Sequence, residues 1–188
     1  VLFNKSQTTL IQYPGGKAET YTIPNRATSI GEYAFSGCTS LTSVTIPNSV
    51  RSIGGLAFYG CTSLTAVYFK GNTPSLPGGE DVFTSSDKAI VYYLPGTTGW
   101  GTTFAGRPAV LWNPRVRTSD ASFGVRAGQF GFTITGTSGL VIVVEASTNL
   151  ANPAWIPVGT NTLTGGSSSF SDPQSVNHPA RFYRLRSP

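Results

Sequence analysis

Methionine is absent from the 188 residues, histidine occurs once, cysteine twice, and charged side chains make up only 11%. Each scarcity excludes something. A hydrolytic triad or a histidine-built metal centre needs more than His178, which stands between Asn177 and Pro179 in a turn-like context. The few carboxylates do not replace it: no two are placed at strand ends with aromatics, as a glycosidase cleft requires. Glu80, Asp81 and Asp87 lack the spacing of a calcium loop. No glycine motif for phosphate is present. The reading is therefore of a protein that is not an enzyme and needs no cofactor or metal. No apolar run approaches the ~20 residues that span a bilayer, so a soluble chain is expected. Without methionine, and starting at Val1 inside a folded pattern, the chain reads as a processed piece whose signal peptide lies outside this window.

The net charge of +5 raises the question of nucleic acid, yet the basic residues are scattered rather than gathered in a stripe. The one cluster is Arg181, Arg184 and Arg186. Its last two members alternate with Tyr183 and Leu185, as on the wet face of a strand, and no nucleic-acid partner is expected. With little charge, solubility rests on hydroxyls and amides, a surface common in secreted and cell-surface proteins. Hydrophobic residues at 39%, with 12% aromatics, are enough for a core.

What is present is a repeat. Ile30, Ala34, Phe35, Gly37, Cys38, Leu41 and Val44 recur as Ile53, Ala57, Phe58, Gly60, Cys61, Leu64 and Val67, a step of 23 residues from Cys38 to Cys61. The same step carries Thr22-Ile23-Pro24-Asn25 onto Thr45-Ile46-Pro47-Asn48. Forwards, the step stretches to 25, placing Phe83 on Phe58, Ala89 on Leu64 and Tyr93 on Tyr68. Each coil holds an apolar-x-x-apolar-x-apolar pattern: Ala18, Tyr21, Ile23; Leu41, Val44, Ile46; Leu64, Val67, Phe69; Ala89, Tyr92, Leu94. Such spacing predicts a short strand with alternate side chains inward, stacked strand on strand because one coil cannot bury its own apolar face.

Phe35, Phe58 and Phe83 are expected to stack as an aromatic spine. Residues 1–14 are expected to cap one end, and Trp100, Phe104, Leu111 and Trp112 to plug the other. Cys38 and Cys61 fall on adjacent coils with α-carbons ~4.8 Å apart. Their side chains point the same way, which leaves the β-carbons beyond the usual reach of a disulfide, so two buried thiols are favoured.

The run Ile-Gly-x-x-Ala-Phe-x-x-Cys-x-x-Leu-x-x-Val-x-Ile-Pro-x-Ser-Val, from Ile30 to Val50, resembles the BspA-like class of leucine-rich repeat of bacterial surface proteins, over roughly residues 15–98. The resemblance implies a secreted or surface-attached protein whose relatives adhere to host or matrix proteins. Ser86 and Ala89 depart from the pattern where cysteine and leucine stood, as a terminal coil would.

After Asn113-Pro114-Arg115 the period becomes two: Phe130, Phe132 and Ile134 alternate with small and polar residues, Val141 to Val144 is an apolar strand, and Gly-rich and Asn/Pro turns separate short pieces. The expected fold is thus mainly β: a right-handed leucine-rich solenoid of about four coils over residues 1–112, then an antiparallel β-sandwich over 113–188. The stretch from Gly128 to Arg186 is similar to sandwich modules that close large secreted proteins of environmental bacteria, which implies an immunoglobulin-like or fibronectin-III-like unit.

For function, the outward residues of the solenoid strands are expected to form the column Thr22, Thr45, Tyr68, Tyr93, flanked by Ser43, Ala66, Val91 and Lys70. Stacked tyrosines beside threonines suit a protein partner. They equally suit a sheet that is simply covered. Three readings follow: an extracellular surface or matrix protein acting by adhesion or self-association, a filament subunit, or a carbohydrate-binding module using Trp100, Trp155 or the tyrosines.

Overall fold

The structure, a computed structural model, describes residues 1–17 and 19–186; Ala18, the first apolar position of the earliest coil, lies outside the described residues. The chain divides into two units, Val1–Leu111 and Trp112–Pro188. Trp112, expected in the plug of the solenoid, falls in the second unit.

Two sheets run down the first unit. The main sheet takes Thr20–Thr22, Ser43–Ile46, Ala66–Phe69, Ile90–Tyr93 and Arg107–Leu111 in parallel, and closes with Thr103–Phe104 antiparallel to the last of these. The minor sheet takes Thr9–Gln12, Ser29–Ile30 and Ser52–Ile53 in parallel, with Leu2–Phe3 folded back on Thr9–Gln12. Proline after Ile23 and Ile46 ends two of the main strands, since it has no N–H for the ladder. Between the sheets each turn hydrogen-bonds to the next coil: Phe35 N donates to Ala57 O at 2.7 Å, and Phe58 N to Val82 O at 2.9 Å.

The spine forms as expected. Phe35 and Phe58 stack at 4.7 Å and 9°, Phe58 and Phe83 at 5.2 Å and 14°, and Tyr13 of the N-terminal cap extends the stack at 5.2 Å from Phe35. At the other end Trp100 packs on Phe69, Tyr93 and Phe104. Coils approach so closely that a β-carbon on Gly54 would lie 2.5 Å from the backbone nitrogen of Glu32, so that position takes only glycine.

Cys38 and Cys61 are free and buried. Their thiols do more than fill space. Cys38 Sγ donates towards Tyr13 O at 3.6 Å and Cys61 Sγ to Phe35 O at 3.0 Å, each reaching the carbonyl of the aromatic residue one coil earlier. Burial raises both thiols, Cys61 to about 12. Ser86 continues the series: its hydroxyl donates to Phe58 O at 2.6 Å and accepts from Cys61 N at 2.8 Å. The change from cysteine to serine thus preserves a donor. Ser86→Ala is expected to cost about 1–3 kcal/mol, because it leaves a buried N–H and a buried carbonyl with one partner fewer. Ser86→Cys is expected to cost less than that. Urea unfolding followed through hydrogen exchange of the solenoid amides measures both, and equal losses would contradict a donor role.

The final step of the repeat is where the sequence spacing misleads. Ser75 bridges Ser52, Phe83 stacks on Phe58, but Val91 pairs with Val67, so the steps are 23, 25 and 24 residues. Two residues are inserted before Phe83 and one is lost after Ala89. A one-residue slip exchanges the faces of a strand. Tyr92 therefore occupies the outward column opposite Tyr68, while Tyr93 pairs with Phe69 and packs against the core and Trp100. Val91 is inward and fully buried. The apolar pattern of this coil is Ala89, Val91, Tyr93.

The second unit contains two antiparallel sheets. In one, Gln129–Thr135 pairs with Arg115–Arg117 and Gly124–Arg126 along one edge and with Ser167–Asp172 along the other. In the other, Val141–Ser147 lies between Ile156–Thr162 and Phe182–Arg186. Phe132, Ile134, Leu140, Ile142, Val143, Val144, Ala146, Leu163 and Phe170 are buried apolar residues of this unit. Arg184 and Arg186 lie on a strand and stay partly exposed, as expected of a wet face, whereas Arg181 does not. The side chain of Arg181 is largely covered, its Nε 2.8 Å from Asp172, and Arg184 and Arg186 both grip the buried Glu145 at 2.7 and 2.6 Å. Burial alone would raise the Glu145 carboxyl, but the hydrogen bonds and charges of Arg186 and Arg184 outweigh it and hold the group below its ordinary range. Among the described residues no helix is long and apolar enough to cross a membrane.

Candidate interaction surface of the solenoid

The outward residues of the main sheet form two columns in register. Thr22, Thr45, Tyr68, Tyr92 and Val110 make one; Thr20, Ser43, Ala66 and Ile90 make the other. Inward positions are taken by Val44, Val67 and Val91, all fully buried. Parallel pairing at one strand spacing puts like beside like, so the rings of Tyr68 and Tyr92 stack at 5.1 Å and 14°.

Exposure grades along this face. Thr22 is exposed, Ser43, Thr45 and Tyr68 are half-buried, and Tyr92 is only 8% exposed, its phenol raised by burial. Five of the six residues expected at a binding surface, Thr22, Ser43, Thr45, Tyr68 and Lys70, thus lie on the outward face or at its margin, and Tyr93 does not. The accessible part is a band of hydroxyls on a rigid backbone, which can exchange hydrogen bonds but offers no acid-base pair.

Lys70 stands just beyond its strand, its backbone N–H bonded to Ile46 O at 3.0 Å. There it borders a polar basin of about 380 Å³ with Asn48, Arg51, Asn72 and Thr97. Arg51 donates to the backbone carbonyl of Asn48, and Asn72 Oδ1 accepts from Thr98 N at 2.9 Å. Sequence reasoning missed Arg51 and the asparagines. The recurrence of asparagine at 25 and 48 was a signal for them, because a residue repeated just after each strand must gather on one rim.

The two tryptophans considered as sugar platforms are both half-buried and in contact within their own units. Trp100 is packed in the end plug, donating to Gly71 O at 3.3 Å, and the Arg184 guanidinium lies 4.5 Å over the ring of Trp155. Among the described residues no group of three or more histidines, cysteines or carboxylates is gathered as a metal site would need.

Stacked coils with two parallel sheets, a glycine-tight contact and a buried aromatic spine define a leucine-rich-repeat solenoid. Residues 13–97 match the BspA type Leucine rich repeat region, in six copies. No curated protein and no solved structure matches the chain. Repeats of this type point to protein–protein interaction.

Proposed function

We propose that this is an extracellular surface or matrix protein that makes non-enzymatic contacts with other proteins through the outward face of the solenoid's main sheet. The observation that carries the reading is the in-register ladder Thr20–Thr22, Ser43–Ile46, Ala66–Phe69, which presents hydroxyls in columns on a backbone that cannot rearrange. A rigid face loses little conformational entropy on binding, so modest contacts yield net affinity. The repeat class of residues 13–97 and the low charge support the extracellular setting. The second unit is read as an immunoglobulin-like or fibronectin-III-like spacer. Its two antiparallel sheets support this.

The test is surface plasmon resonance of the full chain against a panel of immobilised extracellular-matrix proteins and against the chain itself. Thr45→Arg, at a half-buried position in the middle of the face, is expected to weaken the positive interaction at least tenfold. Lys5→Ser, in the N-terminal hairpin, is expected to leave it unchanged. Equal binding by the Thr45 variant, or no binding across the panel, would count against this face. A response only on the immobilised chain would assign the contact to self-association.

A further inference from the structure

The second unit has an open flank. Among the described residues Phe182–Arg186 is the last strand of its sheet, paired with Val141–Ser147 on one side and with no strand beside its other edge. Next to that edge lies a cavity of about 540 Å³. Its walls are apolar from both sheets: Val116 and Phe130 from one, Tyr183 and Leu185 from the other, with Phe123 and Leu150 at the mouth. Phe123 is 42% exposed, Leu150 55% and Phe182 36%, so three of the large exposed apolar side chains of the whole chain gather on one groove. Soluble proteins seldom leave such a patch without a use.

The geometry states what fits. A sheet edge offers backbone donors and acceptors in a row, so its complement is another extended backbone. Side chains of that strand would alternate. Those pointing inward would meet Val116, Phe130, Tyr183 and Leu185, and must be apolar. Those pointing outward would lie beside Phe182 and Arg184, whose guanidinium is about half exposed. The second unit carries six arginines and three carboxylates, and two of those carboxylates, Glu145 and Asp172, are buried behind the arginines they hold. Of these, Arg181 and Arg184 line the groove, and together with Arg186 they outnumber their partners Asp172 and Glu145 by one, which leaves this edge with a net positive charge. We propose that the Phe182–Arg186 edge is a strand-addition site for an extended segment of another protein that alternates apolar and acidic side chains. The chain's own edge strands Leu2–Phe3, Thr20–Thr22, Ser52–Ile53, Thr103–Phe104, Arg115–Arg117, Gly124–Arg126 and Ile156–Thr162 contain no acidic residue, and the one in Ser167–Asp172 is buried on Arg181, so a second copy is a poorer complement than a foreign acidic strand.

The test uses the full chain and a capped seven-residue peptide alternating valine and glutamate, with the valine–lysine peptide as its counterpart. Amide hydrogen exchange is read by NMR at Phe182 to Leu185, together with the fluorescence of Trp155 beneath Arg184. The valine–glutamate peptide is expected to slow exchange at this edge at least tenfold. Phe123→Ser, an exposed position, is expected to weaken that effect about fivefold while leaving peptide-free exchange unchanged. Equal protection by the lysine peptide, or none by either, overturns the proposal. Protection without peptide that grows with protein concentration would show a second copy in the groove. Protection without peptide at every concentration would show the chain covering its own edge. Either of these also overturns it.

Discussion

Phe58→Ala is expected to remove about 3–5 kcal/mol from the solenoid. Phe58 is completely buried and is the central ring of the spine, stacked against Phe35 on one side and Phe83 on the other. Truncation opens a ring-sized cavity that the glycine-tight coils cannot collapse into. It also deletes two aromatic contacts, each worth about 0.5–1.5 kcal/mol beyond burial. In a stack each coil touches only its neighbours, so the loss falls on both interfaces of one coil and uncouples the array at its middle. Since domains of this size hold roughly 5–15 kcal/mol in reserve, the variant should sit near the edge of folding. Urea unfolding with hydrogen exchange at Phe35 and Gly60 measures it. Phe58→Leu, which keeps most of the volume, should cost well under half as much. A loss below about 1 kcal/mol for the alanine variant would mean that the rings are stacked without bearing on stability.

The solenoid was legible because three independent features repeat at the same step: an apolar strand, an Ala-Phe pair and a small hydrogen-bond donor. Chance does not align three. The last coil was not legible to the residue, for a reason that is physical. Two inserted residues before Phe83 and one lost after Ala89 nearly cancel, and Tyr92-Tyr93 satisfies the pattern in either register. Only the fixed position of Phe69 opposite Tyr93, with Trp100 packed on both, decides which tyrosine points out. Ser86 looked like a lapse in the repeat because residue type was read instead of hydrogen-bond capacity; a hydroxyl and a thiol reach the same carbonyl. In the second unit alternation revealed strands such as Gln129–Thr135, but alternation cannot show which strand ends a sheet. The open edge at Phe182–Arg186 and the groove beside it depend on strand order, which is a property of the folded chain. Of the candidate face, the hydroxyl columns were readable from the repeat, whereas the burial of Tyr92 was not.

Arg181→Ala is expected to destabilise the second unit by about 3–5 kcal/mol, although the residue stands in a run that reads as a solvated, basic strand. The reason lies in its partner. Asp172 is 2% exposed; its carboxylate forms an ion pair with Arg181 Nε at 2.8 Å and accepts hydrogen bonds from the Tyr183 hydroxyl at 2.9 Å and the Gln174 N–H at 2.9 Å. The Arg181 side chain is itself only 8% exposed, so water cannot take over the neutralising role when it is removed. Two neutral donors remain around a buried negative charge, and the cost of that uncompensated charge exceeds whatever the intact pair contributes. Tyr183 is bound into the same network: burial first, and then its bond to Asp172, push its phenol well above the ordinary range, so the hydroxyl stays a donor. Removing both charges should therefore hurt less than removing one. Arg181→Met combined with Asp172→Leu is expected to recover at least half of the loss, measured by urea unfolding followed at the amides of Val141–Ser147. By contrast Arg184→Ala should cost no more than about 1–2 kcal/mol, because the guanidinium is half exposed and Arg186 remains on Glu145. If the double variant were no more stable than Arg181→Ala alone, the loss would have to come from the packing of the arginine stem and not from the stranded carboxylate.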